Sequence, residues 1–584
     1  MLNLGMNLQR LAAKQVEFTP ASLFNKGEAG VWYDPSSINT LYQDYLGVTP
    51  VTAVGEPVGL MLDKSEGLAQ GPELVTNGDF ATDSGWSNQA GWTIGGGVAS
   101  VNSSVAGSTY IRQGSTVIGR MYQITFEVTS FTSGALYATA GSAASGGPIT
   151  STGVYTRLAL ANTTQGFGVY AAGSTAIASI DNISVVEVAG SHATQPTSTK
   201  RPIYARHPEG GIRNLLNYTE QLDNDYWSRA NSTVTANATT APDGTATADK
   251  FIATSANSDH SLKRGVSVTG CVYSVYAKAG EYDKFMLWLR LSSKGYGFNL
   301  TSGTTFSVGG ITDTTSNSIE DVGNGWYRCS IYVSDAVNRA DIYLLNSTTY
   351  SNFAGNNSDG VYIWGAQLEE ATEASNYQKV VTDIDVTESG VGEVYYLKFD
   401  GVDDGMSINN LTSSSTPITA LFGYSATNAE STNLRYLLDI QSGRTIFAAS
   451  ASTAGQIGYY DGGWKEFAAD ANAIKVLTYD LVEDNAKIRI DGTQEYSDTT
   501  YDQLAIGGDI GLFAKYDATF SRLAGNMYQT ILRAAESTDE EITKAETYVA
   551  NKTGLKAQVD GIATLDLNFG NNTYTAKNSN GGVI

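Results

Sequence analysis

The stretch GVWYDP at residues 30–35 is the first of four short stretches that decide how the rest of this chain is interpreted. LMLDKS follows at residues 60–65, GSHATQ comes only at residues 190–195, and YLKFDGVDD comes at residues 396–404. The first and last of these stretches combine aromatic residues and Val, which favour strands, with Asp, Gly or Pro, which favour tight turns. These stretches therefore predict short strands that end in turns.

Taken in order, the four phrases resemble a concanavalin A-like (laminin-G-type) β-sandwich of bacteriophage virion proteins, in which they run close together. The resemblance implies one sandwich that carries two inserted modules in its loops. The expected organisation is an N-terminal attachment segment (1–28), the sandwich in three parts (29–71, 190–213 and 381–555), two inserted jelly rolls (72–189 and 214–380) and a C-terminal tail (556–584).

The first expected insert opens with PELVTNGDF at residues 72–80 and closes with IDNISVVEV at residues 180–188. Between them, residues 122–128 alternate like a half-buried strand. With Trp86 and Trp92, these phrases resemble jelly rolls of the carbohydrate-binding-module type. Such folds pair their first and last strands, so their termini lie together and insertion into a host loop is tolerated.

The second expected insert is marked by an ordered set of phrases. RNLLNYTEQ stands at residues 213–221, APDGTATADK at 241–250, GWYR at 325–328 and YIWGAQLEE at 362–370. This set closely resembles a jelly-roll module that is common in phage tail and fibre proteins. It covers about 165 residues and is the most specific resemblance in the chain.

Composition agrees with an all-β chain of several domains. The 584 residues are 41% hydrophobic and 16% charged and include 62 glycines, which suits many short strands joined by turns. The formal net charge of −23 argues against nucleic-acid binding, since a duplex-binding surface needs clustered Lys and Arg. The sequence predicts no membrane insertion, because it has no apolar run of about 18 residues.

Three further features concern the N-terminal segment and the two cysteines. Met1 to Gln15 shows no secretory signal, which predicts assembly in a cytoplasm. Leucines at helical spacing in residues 1–28 indicate a helix packed on its own domain or a peptide that docks onto another virion protein. Cys271 and Cys329 are two buried free thiols or one bridge, and the first is favoured because two cysteines form no disulfide framework.

One helix is expected, near the end of the sandwich. Thr538 and Glu541 fit a capping box, and Gly554 stands where a C-terminal cap belongs. Ile542, Ala545 and Val549 form its apolar stripe. Similar phage sandwiches end in such a helix, so the resemblance points the same way.

A structural calcium ion is expected from the jelly-roll resemblance. Folds that open with N-G-D-F often hold Ca²⁺ where the first and last strands meet, and Asp79 and Asp181 are the matching side chains. The alternative is that both are turn-forming aspartates. Asp400, Asp403 and Asp404 are a second acidic cluster, which in the sandwich family is more often a tight turn before a strand.

Carbohydrate binding would use aromatic faces and planar polar groups. The run YYDGGW predicts a Gly-bearing turn with rings on both flanks, and makes Tyr459, Tyr460 and Trp464 the expected carbohydrate-binding residues. The alternative is that these rings belong to the core, as most large aromatics of sandwiches do. Trp326 and Trp364, in alternating apolar strands, are expected in the core. Other aromatic candidates are Trp86, Trp92, Trp227 and Trp288.

Catalysis is not expected. The sequence has three histidines, no H-E-x-x-H and no G-x-S-x-G elbow between a strand and a helix. His192 falls inside the HATQ phrase and is expected to be structural. Two carboxylates suffice for a glycosidase, so a glycan-degrading enzyme stays an alternative.

The resemblance implies a structural protein on the virion surface: a tail fibre, a receptor-binding protein or a head fibre that adheres to host-surface polysaccharide. Expected partners are that glycan, other virion proteins and two further copies of the chain in a homotrimer. A capsid decoration protein is the alternative within virions.

Overall fold

The computed structural model describes residues 18–409, apart from 69, 106 and 351, and most of residues 411–554. Within the latter range the gaps are 412, 416, 427–434, 442–443, 450–455, 461–463, 469–474, 502–504, 507–508 and 516–521. Beyond residue 554 it describes two paired strands, Thr564–Asp566 and Thr575–Lys577. Strands hold 55% of the described residues and helices 6%. The predicted all-β class is confirmed.

The chain divides into two compact units. The first unit comprises Met1–Tyr204 and Tyr395–Ile584, and the second comprises Ala205–Val394. Segments from both ends of the chain thus fold together in the first unit. The predicted insert 214–380 falls inside the second unit, and its bounds, like those of insert 72–189, stay a prediction.

Two sheets of the first unit enclose its main core. The first runs in the order Glu393–Asp400, Ala524–Arg533, Ile418–Ala426, Lys475–Val482, Asn485–Ile490 and Thr493–Asp498, with Gly30–Tyr33 also paired to Ala524–Arg533. The second runs in the order Leu41–Tyr42, Leu60–Met61, Ala193–Thr194, Met406–Ile408, Ile510–Leu512, Arg435–Ile440, Arg444–Ala449, Gln456–Tyr460 and Trp464–Ala468. Apolar side chains of both sheets share one buried cluster.

Asp63 joins three of the scattered phrases through a buried carboxylate. It accepts hydrogen bonds from the backbone N–H groups of Trp32 and Ser191, each at 2.8 Å. Ser65 donates two more from its backbone N–H and its hydroxyl, both at 2.9 Å. The Tyr33 hydroxyl donates to the Ser191 carbonyl. Residues over a hundred positions apart therefore meet at one buried point.

The helix spans Asp539–Thr553 and has the predicted caps. The Thr538 hydroxyl accepts from the backbone N–H of Glu541, and the Glu541 carboxylate accepts from the backbone N–H of Thr538. Gly554 follows in the left-handed conformation, with φ of 73°. Its buried residues include the three of the predicted stripe. Ala545 and Val549 pack on the outer face of the first sheet, against Leu421 and Ile531.

The N-terminal segment packs on the same face over its described part. A 3-10 helix spans Pro20–Phe24, and Leu23 and Phe24 are buried in the cluster that contains the helix residue Val549. Glu28 forms an ion pair of 2.6 Å with the buried Arg533. Residues 18–28 therefore pack on their own domain, whereas residues 1–17 lie outside the described part.

Residues of the first expected insert form one sheet with its own core. The order is Gly153–Leu160, Met121–Ala140, Phe167–Val188, Val98–Asn102 and Trp92–Gly95. Thr109–Gln113 pairs with Phe167–Val188 and Ser87–Asn88, and Ala143–Ile149 pairs with Met121–Ala140. The predicted alternation over residues 122–128 is present, with Ile124, Phe126 and Val128 in the core. The two ends meet, since the backbone N–H of Gly71 donates to the Glu187 carbonyl at 2.8 Å.

The second unit is built on a further antiparallel sheet. Its order is Ser232–Thr239, Ala248–Ala253, Gly360–Glu369, Ser261–Lys278, Trp326–Leu345, Lys284–Arg290, Lys294–Asn299 and Thr304–Phe306. Ser228–Ala230 pairs with Ser261–Lys278, and Ser316–Gly323 pairs with Trp326–Leu345. Ile203–Pro208 pairs in parallel with Asp385–Glu388, which pairs with Gln378–Thr382. Cys271 and Cys329 are both buried and free.

The remaining elements are short. They are the strand pairs Asn257–Ser258 with Phe353–Ala354 and Ser413–Ser415 with Ala505–Ile506, and the 3-10 helices Ile38–Thr40, Ser103–Val105 and Ser198–Lys200. Among the described residues, no helix has the length and apolarity needed to cross a membrane.

Candidate functional site

Three half-buried tyrosines stand in a row across three neighbouring strands of the sheet in residues 72–189. In the strand register Tyr170 lies opposite Tyr110 on one side and opposite Tyr137 on the other. The ring centroids of Tyr170 and Tyr110 are 4.7 Å apart and those of Tyr170 and Tyr137 are 6.0 Å apart, with interplanar angles of 31° and 38°. We call Tyr110, Tyr170 and Tyr137 the tyrosine row.

The tyrosine row faces away from the core because each ring alternates with buried neighbours along its strand. Thr109 and Ile111 flank Tyr110, and both are fully buried. Val169 and Ala171 flank Tyr170 in the same way. Successive side chains of a strand point to opposite faces, so the three rings must lie on the outer face of the sheet. None of them belongs to the buried cluster of this sheet.

An arginine lies at the Tyr110 end of the tyrosine row. The Arg112 guanidinium lies 3.6 Å from the ring centroid of Tyr110, and its Nη1 donates to the Gln165 side chain at 2.7 Å. Partial burial lowers the pKa of Arg112 from its usual value, and the guanidinium still carries its charge. Next to the row, the Tyr170 hydroxyl donates to Ser108 at 3.0 Å.

This arrangement presents aromatic surface and polar groups together. Half-buried tyrosines offer an apolar ring and a hydroxyl that is both donor and acceptor. The apolar C–H face of a sugar ring can pack on such rings while its hydroxyls bond to phenols, Ser108 or Gln165. The row therefore offers rings, hydroxyls, an amide and a cation to a ligand, and these groups suit binding.

Sequence reasoning missed the tyrosine row. The alternation in Thr109–Gln113 predicts that Tyr110 and Arg112 share one face. What aligns Tyr110, Tyr170 and Tyr137 is the register between strands far apart in the chain, and no local pattern encodes it.

The structure corrects the assignment of Tyr459 as a carbohydrate-binding residue. Tyr459 is 1% exposed, and its hydroxyl donates to the buried Asp498 at 3.1 Å. It lies on the strand Gln456–Tyr460, where Ile457 and Tyr459 both point into the core. Its ring is therefore part of the sandwich core and is not available to a ligand.

The other two residues of that assignment stay a prediction. Tyr460 is half-buried at the end of its strand and is paired with Trp464 of the strand Trp464–Ala468. The side chain of Trp464 and the turn residues 461–463 lie outside the described part of the chain.

The six other tryptophans that the sequence analysis names are buried. Trp326 and Trp364 are in the core region as predicted, where their indole N–H groups donate to Thr240 and Thr247. Trp86, Trp92, Trp227 and Trp288 are likewise at most 9% exposed. These rings stabilise the sandwiches and are poorly placed for stacking on a ligand.

The expected calcium ligands Asp79 and Asp181 lie near the meeting point of the first and last strands. The backbone N–H of Ile183 donates to the Gly78 carbonyl at 2.9 Å, which brings the two segments together. Asp79 is exposed and accepts from Ala81, and Asp181 accepts from its neighbour Asn182. These are turn-type contacts, and calcium binding stays a proposal.

Asp400, Asp403 and Asp404 form the one described group of three acidic side chains close enough to hold a metal ion. Asp400 Oδ1 accepts from the backbone N–H groups of Val402, Asp403 and Asp404. Burial, with the nearby charges of Asp400 and Asp403, raises the pKa of Asp404 to about 7. The Arg522 side chain also reaches this turn, at the Val402 carbonyl. The group is thus a hydrogen-bonded turn, as the phrase predicts.

His192 lies in the interior near Asp63. Its Nδ1 accepts from the backbone N–H of Asp63 at 3.0 Å, and its Nε2 is 3.3 Å from the Val188 carbonyl oxygen. Burial lowers the pKa of His192 to about 4, so the ring is neutral at pH 7. These contacts agree with the expected structural role.

No family model and no curated protein matches this chain. Among solved structures, it is similar to domain 4 of an extracellular arabinanase from Geobacillus stearothermophilus, in complex with arabinotriose, at 11% identity and a TM-score of 0.22 over 30% of this chain and 82% of that one. A tandem CBM22 domain of Paenibacillus barcinonensis Xyn10C matches at 11% identity and a TM-score of 0.19, over 52% and 98%. Trypanosoma rangeli sialidase matches at 9% identity and a TM-score of 0.22, over 78% and 91%. No functional conclusion rests on likenesses this distant.

Proposed function

We propose that this chain is a glycan-binding adhesion protein and that the tyrosine row is its principal contact with the ligand. The observation that carries the proposal is the alignment of Tyr110, Tyr170 and Tyr137 on an outer sheet face, flanked by Arg112 and Ser108. A contiguous, partly exposed aromatic surface of this kind is typical of a contact site. A sugar chain matches both their apolar and their polar surface.

The virion role is a further part of the proposal. It rests on the resemblance of the phrases at residues 30–35, 60–65, 190–195 and 396–404 to those of phage virion sandwiches. In support, three of these phrases meet at the Asp63 carboxylate, so they act as one structural element in this chain. We propose a tail fibre, receptor-binding protein or head fibre on the virion surface, with a capsid decoration protein as the alternative.

Several copies of a weak binding site on one assembly bind a repetitive ligand more tightly than one copy does. A homotrimer would present three tyrosine rows, and tethering raises avidity by about 10²–10⁴ without any new contact. We therefore propose that three copies act together, with other virion proteins as neighbours. Light scattering of the purified chain measures this directly against the chain mass of 62.0 kDa.

The test is a screen of the purified chain on immobilised bacterial surface polysaccharides. The double variant Tyr110→Ala, Tyr170→Ala should not be retained by any polysaccharide that retains the unmodified chain. The matched control is Tyr332→Ala, a half-buried strand tyrosine of the second unit, which should leave binding unchanged.

Three other results would contradict the proposal or favour one of its alternatives. Equal retention of the double variant and the unmodified chain would show that the tyrosine row is not the contact. Release of reducing sugar from a retained polysaccharide would show a glycan-degrading enzyme instead. If no polysaccharide retains the unmodified chain, the alternative of a capsid decoration protein would be favoured.

A further inference from the structure

A second surface of the same sheet has a different character. Thr93, Ser100, Ser179 and Ser130 lie directly opposite one another on four adjacent strands. They line an open groove of about 490 Å³, together with Gly91, Val101, Asn102, Ile177 and Ala178. We call this the hydroxyl groove. Its volume lies within the range of about 300–1,000 Å³ that is usual for small-ligand sites.

The lining of the hydroxyl groove is uncharged and combines four side-chain hydroxyls with apolar surface. The hydroxyls of Ser100 and Ser179 are bonded to each other at 2.8 Å. Those of Thr93 and Ser130 have no hydrogen-bond partner within the described part of the chain. Ile177, 39% exposed, adds apolar surface at the groove. Of the nine lining residues none is ionisable, in a chain with 95 acidic and basic residues (59 acidic plus 36 basic).

We propose that the hydroxyl groove binds an uncharged oligosaccharide, at a site separate from the tyrosine row. A row of hydroxyls that can each donate and accept matches the hydroxyls of a neutral sugar chain. An anionic ligand would find no cation in the lining, and the chain's net charge of −23 would disfavour it further. Ile177 gives one apolar contact for the C–H face of a sugar ring. The inference rests on the proposed glycan-binding function but does not depend on the tyrosine row.

The test follows the Ile177 side chain in the full-length protein. Isoleucine δ-methyl groups are labelled with ¹³C, and the Ile177 signal is assigned from its absence in Ile177→Val. The probes are three neutral linear hexasaccharides, built of glucose, xylose and mannose, and the acidic hexagalacturonate. At least one neutral hexasaccharide should shift the Ile177 methyl signal in a saturable way, and hexagalacturonate should not.

Paired hydroxyl deletions then locate the contact. Ser100→Ala with Ser179→Ala should weaken binding of the neutral probe at least fivefold. The matched control, Thr125→Ala with Thr156→Ala, removes another bonded hydroxyl pair of the same sheet (2.9 Å) and should not change binding. The tyrosine-row double variant should also leave the Ile177 titration unchanged, which separates failure of this inference from failure of the proposed function.

Three results would overturn the inference. One is the absence of any Ile177 shift with all three neutral probes. Another is an equal loss of affinity in the serine and threonine double variants. The third is a shift of Ile177 by hexagalacturonate as large as that by the neutral probes.

Discussion

Asp63 shows how one side chain joins residues far apart in the sequence. Its carboxylate accepts from Trp32, Ser65 and Ser191, and its pKa is raised to about 6 by burial although these hydrogen bonds favour the ionised form. A Cβ added at Gly190 would lie 2.8 Å from Asp63 Oδ2. Glycine at residue 190 therefore lets the backbone approach this carboxylate closely.

Asp63→Ala should therefore destabilise the first unit strongly. It leaves the backbone N–H groups of Trp32 and Ser191 buried without an acceptor, at about 1–3 kcal/mol each. Chemical unfolding should show a loss of roughly 3 kcal/mol or more. The control Asp225→Ala removes an aspartate that makes an exposed ion pair with Arg229 and should leave the free energy of unfolding nearly unchanged. Equal effects of the two substitutions would contradict a joining role for Asp63.

Asp404 gives a pH dependence with a defined sign. Its folded-state pKa of about 7 lies above its value in the unfolded chain, so the folded state holds the proton more tightly. Its contribution to stability is fully present below about pH 4 and is lost as the pH rises towards 7. His192, with its pKa lowered to about 4, acts in the opposite direction as the pH falls.

Asp404→Asn isolates the contribution of this one carboxyl group. Relative to the unmodified chain, the variant should gain stability as the pH is raised from 4 to 7, because Asn cannot ionise. Urea unfolding at several pH values within this range measures the difference. A difference that does not change with pH would show that Asp404 keeps an ordinary pKa in the folded protein.

At the scale of single elements, the helix Asp539–Thr553 is the part that the sequence predicted best. Its capping box, apolar stripe and glycine cap are local signals within 17 residues, and all are present. Strand partners are set by contacts between distant residues, so neither the tyrosine row nor the hydroxyl groove was predictable. The prediction for Tyr459 is wrong because the strand Gln456–Tyr460 continues to the second tyrosine, which places Ile457 and Tyr459 together in the core.

Removing the helix cap should have a measurable cost. Thr538→Ala removes the acceptor for the Glu541 backbone N–H and should destabilise the first unit by about 1 kcal/mol. Thr543→Ala deletes the same hydroxyl inside the helix, where Ala is the better helix former, and should be neutral or slightly stabilising. Thermal unfolding of the two variants gives the comparison. An unchanged midpoint for Thr538→Ala would mean that the cap does not limit stability.

At the scale of the whole molecule, residues 72–188 can be treated as a separable module. Their ends meet at the hydrogen bond from Gly71 to Glu187, and their sheet has its own core. They also bury Leu60 and Leu62 of the sandwich against Leu158. Deletion therefore exposes some apolar surface of the sandwich.

Replacing residues 72–188 with a short glycine linker should leave the rest folded but less stable. Closing the shortened loop costs little, since loop entropy varies slowly with length. Far-UV circular dichroism and gel filtration should show a β-rich soluble protein with a lower melting temperature. Aggregation of the shortened chain, even with Leu60 and Leu62 replaced by Thr, would contradict the insertion account.

The central claim is that the tyrosine row binds glycan, and an equilibrium binding isotherm tests it most directly. The titrant is a polysaccharide retained in the screen, against the unmodified chain, Tyr110→Ala with Tyr170→Ala, and Tyr332→Ala. Loss of two aromatic contacts of about 1.5–3 kcal/mol each should weaken binding by at least about a hundredfold, since every 1.4 kcal/mol is about tenfold. The Tyr332→Ala isotherm should match that of the unmodified chain. An unchanged dissociation constant for the folded double variant would contradict the account.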